Sequence, residues 1–179
     1  MAAKKALPLS RVYQLLEPGP VVMITTSQNG KPNIMTMTWH MMVDFEPPLV
    51  ALVMSDRNYS FAALKETKQC VINIPTADMA HVVVGVGNTT GARVDKFKKF
   101  KLTPVPATHV KPPLIDECFA NLECNVVDFK MAKKYNIFIV KVVKAWIAKS
   151  KRRHRTLHHC GNGVFVVDGK VIKLKSHKK

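Results

Sequence analysis

The sequence predicts a mainly β, single-domain protein with short helices, folded as a closed or partly open antiparallel barrel. Seven or eight strand-like runs are separated by turns rich in glycine and proline. These runs do not alternate regularly with helices, which excludes a doubly wound sheet. At 179 residues, the chain is long enough to bury one substantial core. An antiparallel barrel is the architecture that fits all three observations.

The first part of the chain is predicted to be a polar lead-in, residues 1–17, followed by a β-hairpin. The lead-in ends at Pro18-Gly19-Pro20, which would break any helix. Val21–Thr26 is rich in β-branched residues, and Asn29-Gly30 after it is a strong hairpin turn. We therefore expect one folded domain over residues 18–179, beginning with this hairpin.

The rest of the chain is predicted to alternate strands with short connections. A helix is expected within Asp78–Val84, a glycine-rich loop at Gly85–Gly91, and an extended proline-rich connection over Leu102–Pro113. The predicted strands are Cys70–Ile74, Cys118–Asp128, Tyr135–Trp146 and a terminal hairpin, Val164–Val167 with Val171–Leu174, turning at Asp168-Gly169.

The stretch Asn33–Ser60 says most about function. Its first half alternates between two faces, one bearing small hydroxyls and the other thioethers and an indole. The first face carries Ile34, Thr36, Thr38 and His40, and the second carries Met35, Met37, Trp39 and Met41. After a proline-containing turn and an apolar run, the stretch ends in the polar corner Ser55–Ser60. This combination suits a flat, partly apolar ring with a hydrogen-bonding edge and an anionic tail.

A short helix, Phe61–Thr67, is predicted directly after this corner, with Asn58 or Ser60 as its N-cap. A helix start offers unpaired N–H groups and partial positive charge, and Arg57 adds a guanidinium, so the corner suits a phosphate. FMN has such a ring and such a tail. The alternative is a hairpin core with a capped helix, in which Arg57 is only a solvated charge.

Three motifs resemble the flavin reductase-like FMN-binding split-barrel family. They are N-I-M-T-M-T-W-H at Asn33–His40, S-D-R-N-Y-S at Ser55–Ser60 and G-N-T-T-G-A-R-V-D-K-F at Gly87–Phe97. The Trp-His pair after the threonine-rich strand is most similar to the flavoredoxin-like branch. The resemblance runs from about Pro18 to the C-terminus. It implies an antiparallel split barrel, bound FMN, and a homodimer with the flavin near its interface.

The resemblance also implies which residues hold the cofactor. The ring edge would face Thr36, Met37 and Thr38, with Trp39 packing near the ring. The phosphate would bind Ser55, Arg57, Asn58 and Ser60, and Lys96 would help to neutralise it, from the same chain or across a dimer interface. A structural alternative for Lys96 is a helix start that Asp95 caps, with Phe97 in the core.

His159 is a candidate for substrate binding. It is similar to the histidine of a His-x-Gly element that lies near the flavin or nicotinamide late in these reductases. Cys160 stands where that element often carries arginine. The alternative is a solvated histidine before the terminal hairpin. Transfer of hydride or electrons to a flavin needs no acid–base pair of side chains, so no catalytic side chain is assigned.

Two function classes follow, with a third as a remote alternative. The protein is either an oxidoreductase taking hydride from NAD(P)H or a flavoredoxin-like electron carrier that meets redox partner proteins. The third class is a basic nucleic-acid-binding barrel, suggested by a net charge of +16 and the run Lys149–Arg155. That run lacks interleaved aromatics for base stacking, which disfavours nucleic acid.

The remaining composition predicts a cytoplasmic protein without a membrane segment. No apolar run approaches the roughly 20 residues of a spanning helix, and the N-terminus lacks an export signal. The four cysteines form no C-x-x-C pair, so we expect buried free thiols and no metal site. They are Cys70, Cys118, Cys124 and Cys160.

Overall fold

The computed structural model describes residues 3–150 and 153–175. The strands are β1 Lys4–Ala6, β2 Val22–Gln28, β3 Lys31–Met37, β4 His40–Phe45, β5 Pro48–Val53, β6 Gln69–Ile74, β7 Pro104–Val105, β8 Leu114–Ile115, β9 Ala120–Asp128, β10 Ile137–Ala148, β11 Leu157–His159 and β12 Phe165–Val167. The helices are α1 Tyr13–Leu16, α2 Tyr59–Thr67, α3 Ala80–Gly87, α4 Lys96–Lys99 and α5 Ala132–Tyr135, with 3₁₀ turns at Leu9–Arg11 and Ala77–Met79.

The main sheet is antiparallel and curls on itself. Its strands follow the order β3-β2-β6-β9-β10-β5-β4, so β3 and β4 form opposite edges. A flat sheet of seven strands would separate these edges by about 29 Å. Only Thr38 and Trp39 lie between β3 and β4, and such a link spans at most about 11 Å. The two edges must therefore meet, which confirms the predicted split barrel.

The core lies on both faces of β2. Val22 and Ile24 point into the barrel interior, while Val21 and Met23 belong to a second cluster with residues of α3 and α4. Because both faces of β2 are covered, its first half, Val22–Ile24, is apolar on both faces, as expected for a strand segment buried on both sides. The second cluster fixes α3 and α4 against the outside of the barrel.

The predicted lead-in packs onto the barrel. Strand β1 pairs with the end of β10, and Val12 and Leu16 are buried. Lys4 Nζ donates to Asn121 Oδ1 at 2.7 Å and to the Ile115 carbonyl at 3.1 Å. The described part of this segment thus contributes both apolar and polar contacts to the same barrel.

Several local predictions are confirmed. Asn29 and Gly30 both have positive φ and join β2 to β3 in a two-residue turn, as the hairpin prediction requires. Asn58 is the N-cap of α2, which starts two residues earlier than predicted. Asp95 caps α4 by accepting a hydrogen bond from Lys98 N at 3.1 Å.

The predicted glycine loop Gly85–Gly91 is partly wrong, because α3 continues to Gly87. The two helical glycines allow close packing instead of a turn. A Cβ on Gly85 would lie 2.5 Å from Phe100 Cε1, and one on Gly87 would lie 3.4 Å from Thr36 Cβ. Only the part after Gly87 is available as a loop beside β3.

The predicted terminal hairpin is also wrong. Strand β12 pairs with β11, the strand that precedes it in the chain, and residues 170–175 form no strand. Positive φ angles at Gly161, Asn162 and Gly163 create the tight turn between β11 and β12. Asp168 and Gly169 form no turn, and the carboxylate of Asp168 instead accepts a hydrogen bond from Thr156 N at 2.6 Å.

The cysteine prediction holds for three of the four thiols. Cys70, Cys118 and Cys124 are buried and free, whereas Cys160 is exposed, contrary to expectation. Cys160 follows β11 directly and lies at the start of the turn to β12, where its side chain is exposed. Of the predicted basic run Lys149–Arg155, two residues, 151 and 152, lie outside the described part of the chain. No helix in the described part is long and apolar enough to cross a membrane.

A buried carboxylate anchors the proline-rich connection Leu102–Pro113 to the barrel. Glu123 is fully buried and accepts hydrogen bonds from Trp146 Nε1 at 2.8 Å, His109 N at 2.6 Å and Thr108 N at 3.0 Å. Burial alone would raise the pKa of Glu123, but these hydrogen bonds outweigh it and leave the pKa lowered.

We expect Glu123→Gln to lower the free energy of unfolding at pH 7 by about 1–3 kcal/mol, because a buried donor loses a charged acceptor. The depressed pKa stabilises the fold above the unfolded value, about 4.3, and this stabilisation is lost as pH falls through the folded pKa. The difference between wild type and variant should therefore shrink below about pH 4. Urea unfolding at several pH values measures it, and exposed Glu46→Gln is the control. A difference independent of pH would contradict the assignment.

Candidate functional site

A cleft opens at the seam of the barrel, between the end of β3, the start of α2 and the end of α3. It consists of two adjoining cavities of about 310 and 250 Å³. Met35, Thr36 and Asn58 line both cavities and mark where they meet. Such volumes are in the range of small-molecule sites.

All nine residues predicted to hold a cofactor line this cleft. The first cavity, which we call the α2 cavity, is lined by Thr36, Arg57, Asn58, Ser60 and Lys96 among others. The second, the seam cavity, is lined by Thr36, Met37, Thr38, Trp39, Ser55 and Asn58 among others. The structure thus brings together residues from β3, the seam, the corner after β5, and α4.

The corner before α2 directs its groups toward the α2 cavity. Asn58 N donates to the Ser55 carbonyl at 2.9 Å and Arg57 N to Ser55 Oγ at 3.3 Å, which closes a turn and leaves the Arg57 side chain exposed. Asn58 caps α2 without a side-chain hydrogen bond to the helix. The first N–H groups of a helix have no intrahelical partner, so they can meet an anion here.

Asn33 holds the far end of the α2 cavity together. Its Nδ2 donates to the buried Ser60 Oγ at 2.8 Å, which joins β3 to α2. Gly91 packs so closely on this amide that an added Cβ would lie 2.0 Å from Asn33 Oδ1. Gly91 is therefore required for close approach, and the loop after α3 is fixed to the other two elements.

The buried side chain of Lys96 joins β3 to α3 through hydrogen bonds. Only 5% of the residue is exposed, and Nζ donates to the Ile34 carbonyl at 2.7 Å and the Val86 carbonyl at 2.9 Å. Burial lowers the pKa of Lys96 to about 8. Thr36 makes a second tie by donating from Oγ1 to the Val83 carbonyl at 2.6 Å. The wall of the cleft is thus held by two side chains that bond to backbone carbonyls.

The charged side chains that line the cleft in the described part of the chain are all positive. Arg57 and Lys96 are its cations, and no acidic side chain of residues 3–150 or 153–175 lines either cavity. Hydroxyl and amide groups supply most of the other polar surface, while Met35, Met37 and Val53 supply apolar surface. This chemistry suits an anionic ligand with an apolar part.

His159 lies beside the cleft, in a third cavity of about 420 Å³ that we call the β11 cavity. Thr36 and Thr38 line this cavity as well, so it adjoins the seam cavity across the end of β3. The His159 ring packs at 5.0 Å from the Phe165 ring, and its residue is exposed. The predicted substrate residue therefore lies next to the predicted ring-edge residues.

Sequence reasoning missed several lining residues. Asn33 and Asn136 were not identified, and neither were Asn88 and Thr89 just after α3. Asn136 has a φ of 61° after α5, a backbone position that asparagine tolerates. That position is set by the loop between β9 and β10, which is distant in sequence from every predicted site residue.

Comparison with known proteins adds relatives and similar structures. The protein YddH of Escherichia coli K12 is 31% identical, over 92% of this chain and 94% of its own length. A protein of Archaeoglobus fulgidus is 34% identical over 63% of this chain, and the alignment spans 64% of that relative's length.

Two solved structures share the fold. An FMN-binding domain of a flavin reductases-like enzyme from Shewanella baltica superposes with a TM-score of 0.90, at 23% identity, covering 97% of this chain and 98% of its own. The flavoredoxin of Desulfovibrio vulgaris superposes with a TM-score of 0.78, at 21% identity, covering 87% and 90%. The flavin reductase like domain model matches residues 15–167. The chain therefore belongs to the flavin reductase like domain family, whose model covers most of its length.

Proposed function

We propose that the protein is an FMN-binding flavoprotein that transfers electrons. The observation that carries this proposal is the cleft itself, which gathers the predicted residues around two cations and the start of α2. The FMN-binding structures that share the fold support it. When bound, a flavin would supply the redox chemistry, while the protein holds it and controls access.

The α2 cavity fits the phosphate end. Arg57, the first residues of α2 and Ser60 all line it, and the start of a helix favours an anion. Lys96 already donates to two carbonyls, so we propose that it supports the phosphate through its charge and by holding β3 against α3. Lys96 lines the cavity of its own chain, which favours a role within one chain.

The seam cavity fits the ring. Thr36 and Thr38 offer hydroxyl and backbone groups for a polar edge, and Met37 and Val53 offer apolar contact. Trp39 is 71% exposed at the rim, where its indole would shape the entrance. The ring would then lie where the two edges of the sheet meet.

We expect Arg57→Ala to weaken FMN binding by roughly 10- to 150-fold, because a charge-assisted contact contributes about 1.5–3 kcal/mol. Equilibrium dialysis of apoprotein against FMN, read by visible absorbance, measures the effect. Lys65→Ala is the matched control, since Lys65 is an exposed cation in the last turn of the same helix. An Arg57→Ala protein that binds FMN as tightly as wild type would refute the phosphate assignment, and a wild type without affinity for FMN would refute the proposed function.

We further propose an oxidoreductase that takes hydride from NAD(P)H. The β11 cavity supports this, because it offers a second site of small-molecule size beside Thr36 and Thr38. A flavoredoxin-like carrier is the second candidate, supported by the fold shared with flavoredoxins and by the basic surface. In a carrier, the acceptor would be an acidic partner protein.

Anaerobic mixing of the FMN-loaded protein with NADH and with NADPH separates these candidates. We expect rapid loss of the oxidised flavin absorbance with one or both nucleotides. In His159→Ala this rate at subsaturating nucleotide should fall roughly 2- to 12-fold, because one aromatic contact is worth about 0.5–1.5 kcal/mol. His81→Ala, at an exposed histidine of α3, should match wild type. Stable flavin absorbance with both nucleotides would favour the carrier.

The outer face of three neighbouring strands supports the predicted homodimer. Met41 of β4, Ala51 of β5 and Ile139 of β10 are directly opposite one another in register and so share one face. Trp39 and Met41 are 71% and 61% exposed on this side. We propose that a second copy covers this face, because large apolar side chains that are exposed together on one face are typical of interfaces.

Met41→Glu should therefore shift the protein from dimer to monomer, since it buries a carboxylate in an apolar interface. Sedimentation velocity at several protein concentrations measures the change. Val166→Glu is the control, because Val166 is 54% exposed on β12, outside this face. A monomeric wild type, or a dimer insensitive to Met41→Glu, would contradict the proposed interface.

A further inference from the structure

The C-terminal part of the described chain carries a basic surface that the proposed function does not use. The sequence over residues 149–179 contains ten lysines and arginines and a single acidic residue, Asp168. Every lysine and arginine described within residues 153–175 is exposed, and these are Arg153, Arg155, Lys170, Lys173 and Lys175. The three lysines form no ion pair with an acidic side chain of residues 3–150 or 153–175.

Contacts at Asp168 and Gly169 bring two basic segments together. Arg153 forms an ion pair with the Asp168 carboxylate and donates a hydrogen bond to the Gly169 carbonyl. Arg155 Nε donates to the Asp168 carbonyl at 3.1 Å. Lys170 follows Gly169 directly in the chain. The arginines before β11 and the lysines after β12 therefore belong to one positive surface.

Aliphatic side chains are exposed among these cations. Phe165 and Val167 of β12 pack on the second cluster of the core. Val166 between them lies on the outer face of the β11–β12 hairpin, where it is exposed. The chain around β12 adds four aliphatic side chains that are 54% to 81% exposed: Val164, Val171, Ile172 and Leu174. We call these five aliphatic side chains and the five cations the C-terminal surface.

The composition of the C-terminal surface favours an anionic lipid bilayer over other polyanions. Its cations are interleaved with aliphatic side chains and not with exposed aromatic rings, on which nucleobases would stack. None of its side chains lines the α2, seam or β11 cavity, so none of these pockets can receive the anchor residue of a protein partner there. A bilayer needs no such pocket, because its fluid boundary accepts aliphatic side chains beside cations.

We propose that the C-terminal surface binds a bilayer of anionic phospholipid. The lysine and arginine side chains pair with headgroup phosphates, and Ile172 and Leu174 enter the boundary between the headgroups and the acyl chains. Electrostatic attraction and apolar insertion act together in this binding. None of the ten side chains lines the α2 or the seam cavity, so the binding is independent of the flavin site.

Flotation of the full-length protein with lipid vesicles tests the role of charge. Wild type should float with vesicles of phosphatidylcholine and phosphatidylglycerol in equal parts, and not with phosphatidylcholine alone. Lys170→Ala/Lys173→Ala/Lys175→Ala should lower the partition coefficient at least about tenfold, because three cations near the anionic surface are lost. The control removes the same charge at three exposed lysines between β9 and β10, Lys130→Ala/Lys133→Ala/Lys134→Ala. It should change the partition coefficient less than about threefold, because charges outside the contact are screened.

A second variant tests the apolar contact. Ile172→Ser/Leu174→Ser keeps the charge and should also lower the partition coefficient at least about tenfold, since two aliphatic side chains no longer enter the bilayer. Both residues are exposed and lie outside every described strand, so the variant should fold as wild type does. Circular dichroism checks that the fold is retained.

Four results would overturn this assignment of the C-terminal surface. They are no binding of wild type to the anionic vesicles, equal binding to phosphatidylcholine alone, equal loss in the control variant, and unchanged binding of Ile172→Ser/Leu174→Ser. Duplex DNA and polyglutamate serve as competing polyanions. Binding to either that is tighter than binding to the anionic vesicles, and that the triple variant at residues 170, 173 and 175 removes, would assign the surface to nucleic acid or to an acidic protein instead.

Discussion

The two-residue link between β3 and β4 is the constraint on which the rest of the structure depends. These strands are at opposite edges of the main sheet, so the link forces the sheet to close on itself. The same link leaves a seam, where Trp39 bonds to β5 through its carbonyl rather than continuing a strand; Val53 N donates to it at 3.0 Å. At the seam Thr38 and Trp39 lie outside both strands, so their backbone groups are not part of a regular strand ladder. The same two-residue link therefore closes the barrel and leaves the cleft open.

Side-chain bonds to backbone carbonyls keep the seam in one shape. Lys96 and Thr36 both bond to carbonyls of α3, and Asn33 fixes the start of α2 through Ser60. Each tie adds a polar contact between segments that apolar packing already holds together on the barrel surface. The ammonium of Lys96 is costly to bury, so its place beneath the cleft suggests that charge as well as geometry is needed there. Rigid walls of this kind reduce the ordering that a ligand must impose when it binds.

The sequence predicted features that depend on local pattern. The hairpin at Asn29-Gly30, the N-cap at Asn58 and the cluster Ser55–Ser60 are all set by neighbours along the chain, and the structure places them as expected. Contacts between distant segments were not predictable in the same way. Lys4 bonds to Asn121 across 117 positions, which no periodicity indicates. The terminal hairpin failed for a related reason, because Phe165–Val167 could pair with either neighbour and the positive φ angles at 161–163 decided the pairing.

The exposed thiol at Cys160 has a practical consequence. Three of the four cysteines are buried, and burial raises the pKa of Cys118 and of Cys124, so their thiolates are scarce. Alkylating reagents should therefore label position 160 alone in the native molecule. That position follows His159 on the strand that borders the β11 cavity. A fluorophore or spin label attached to Cys160 would report on the entry of a ligand into that cavity, without any engineered cysteine.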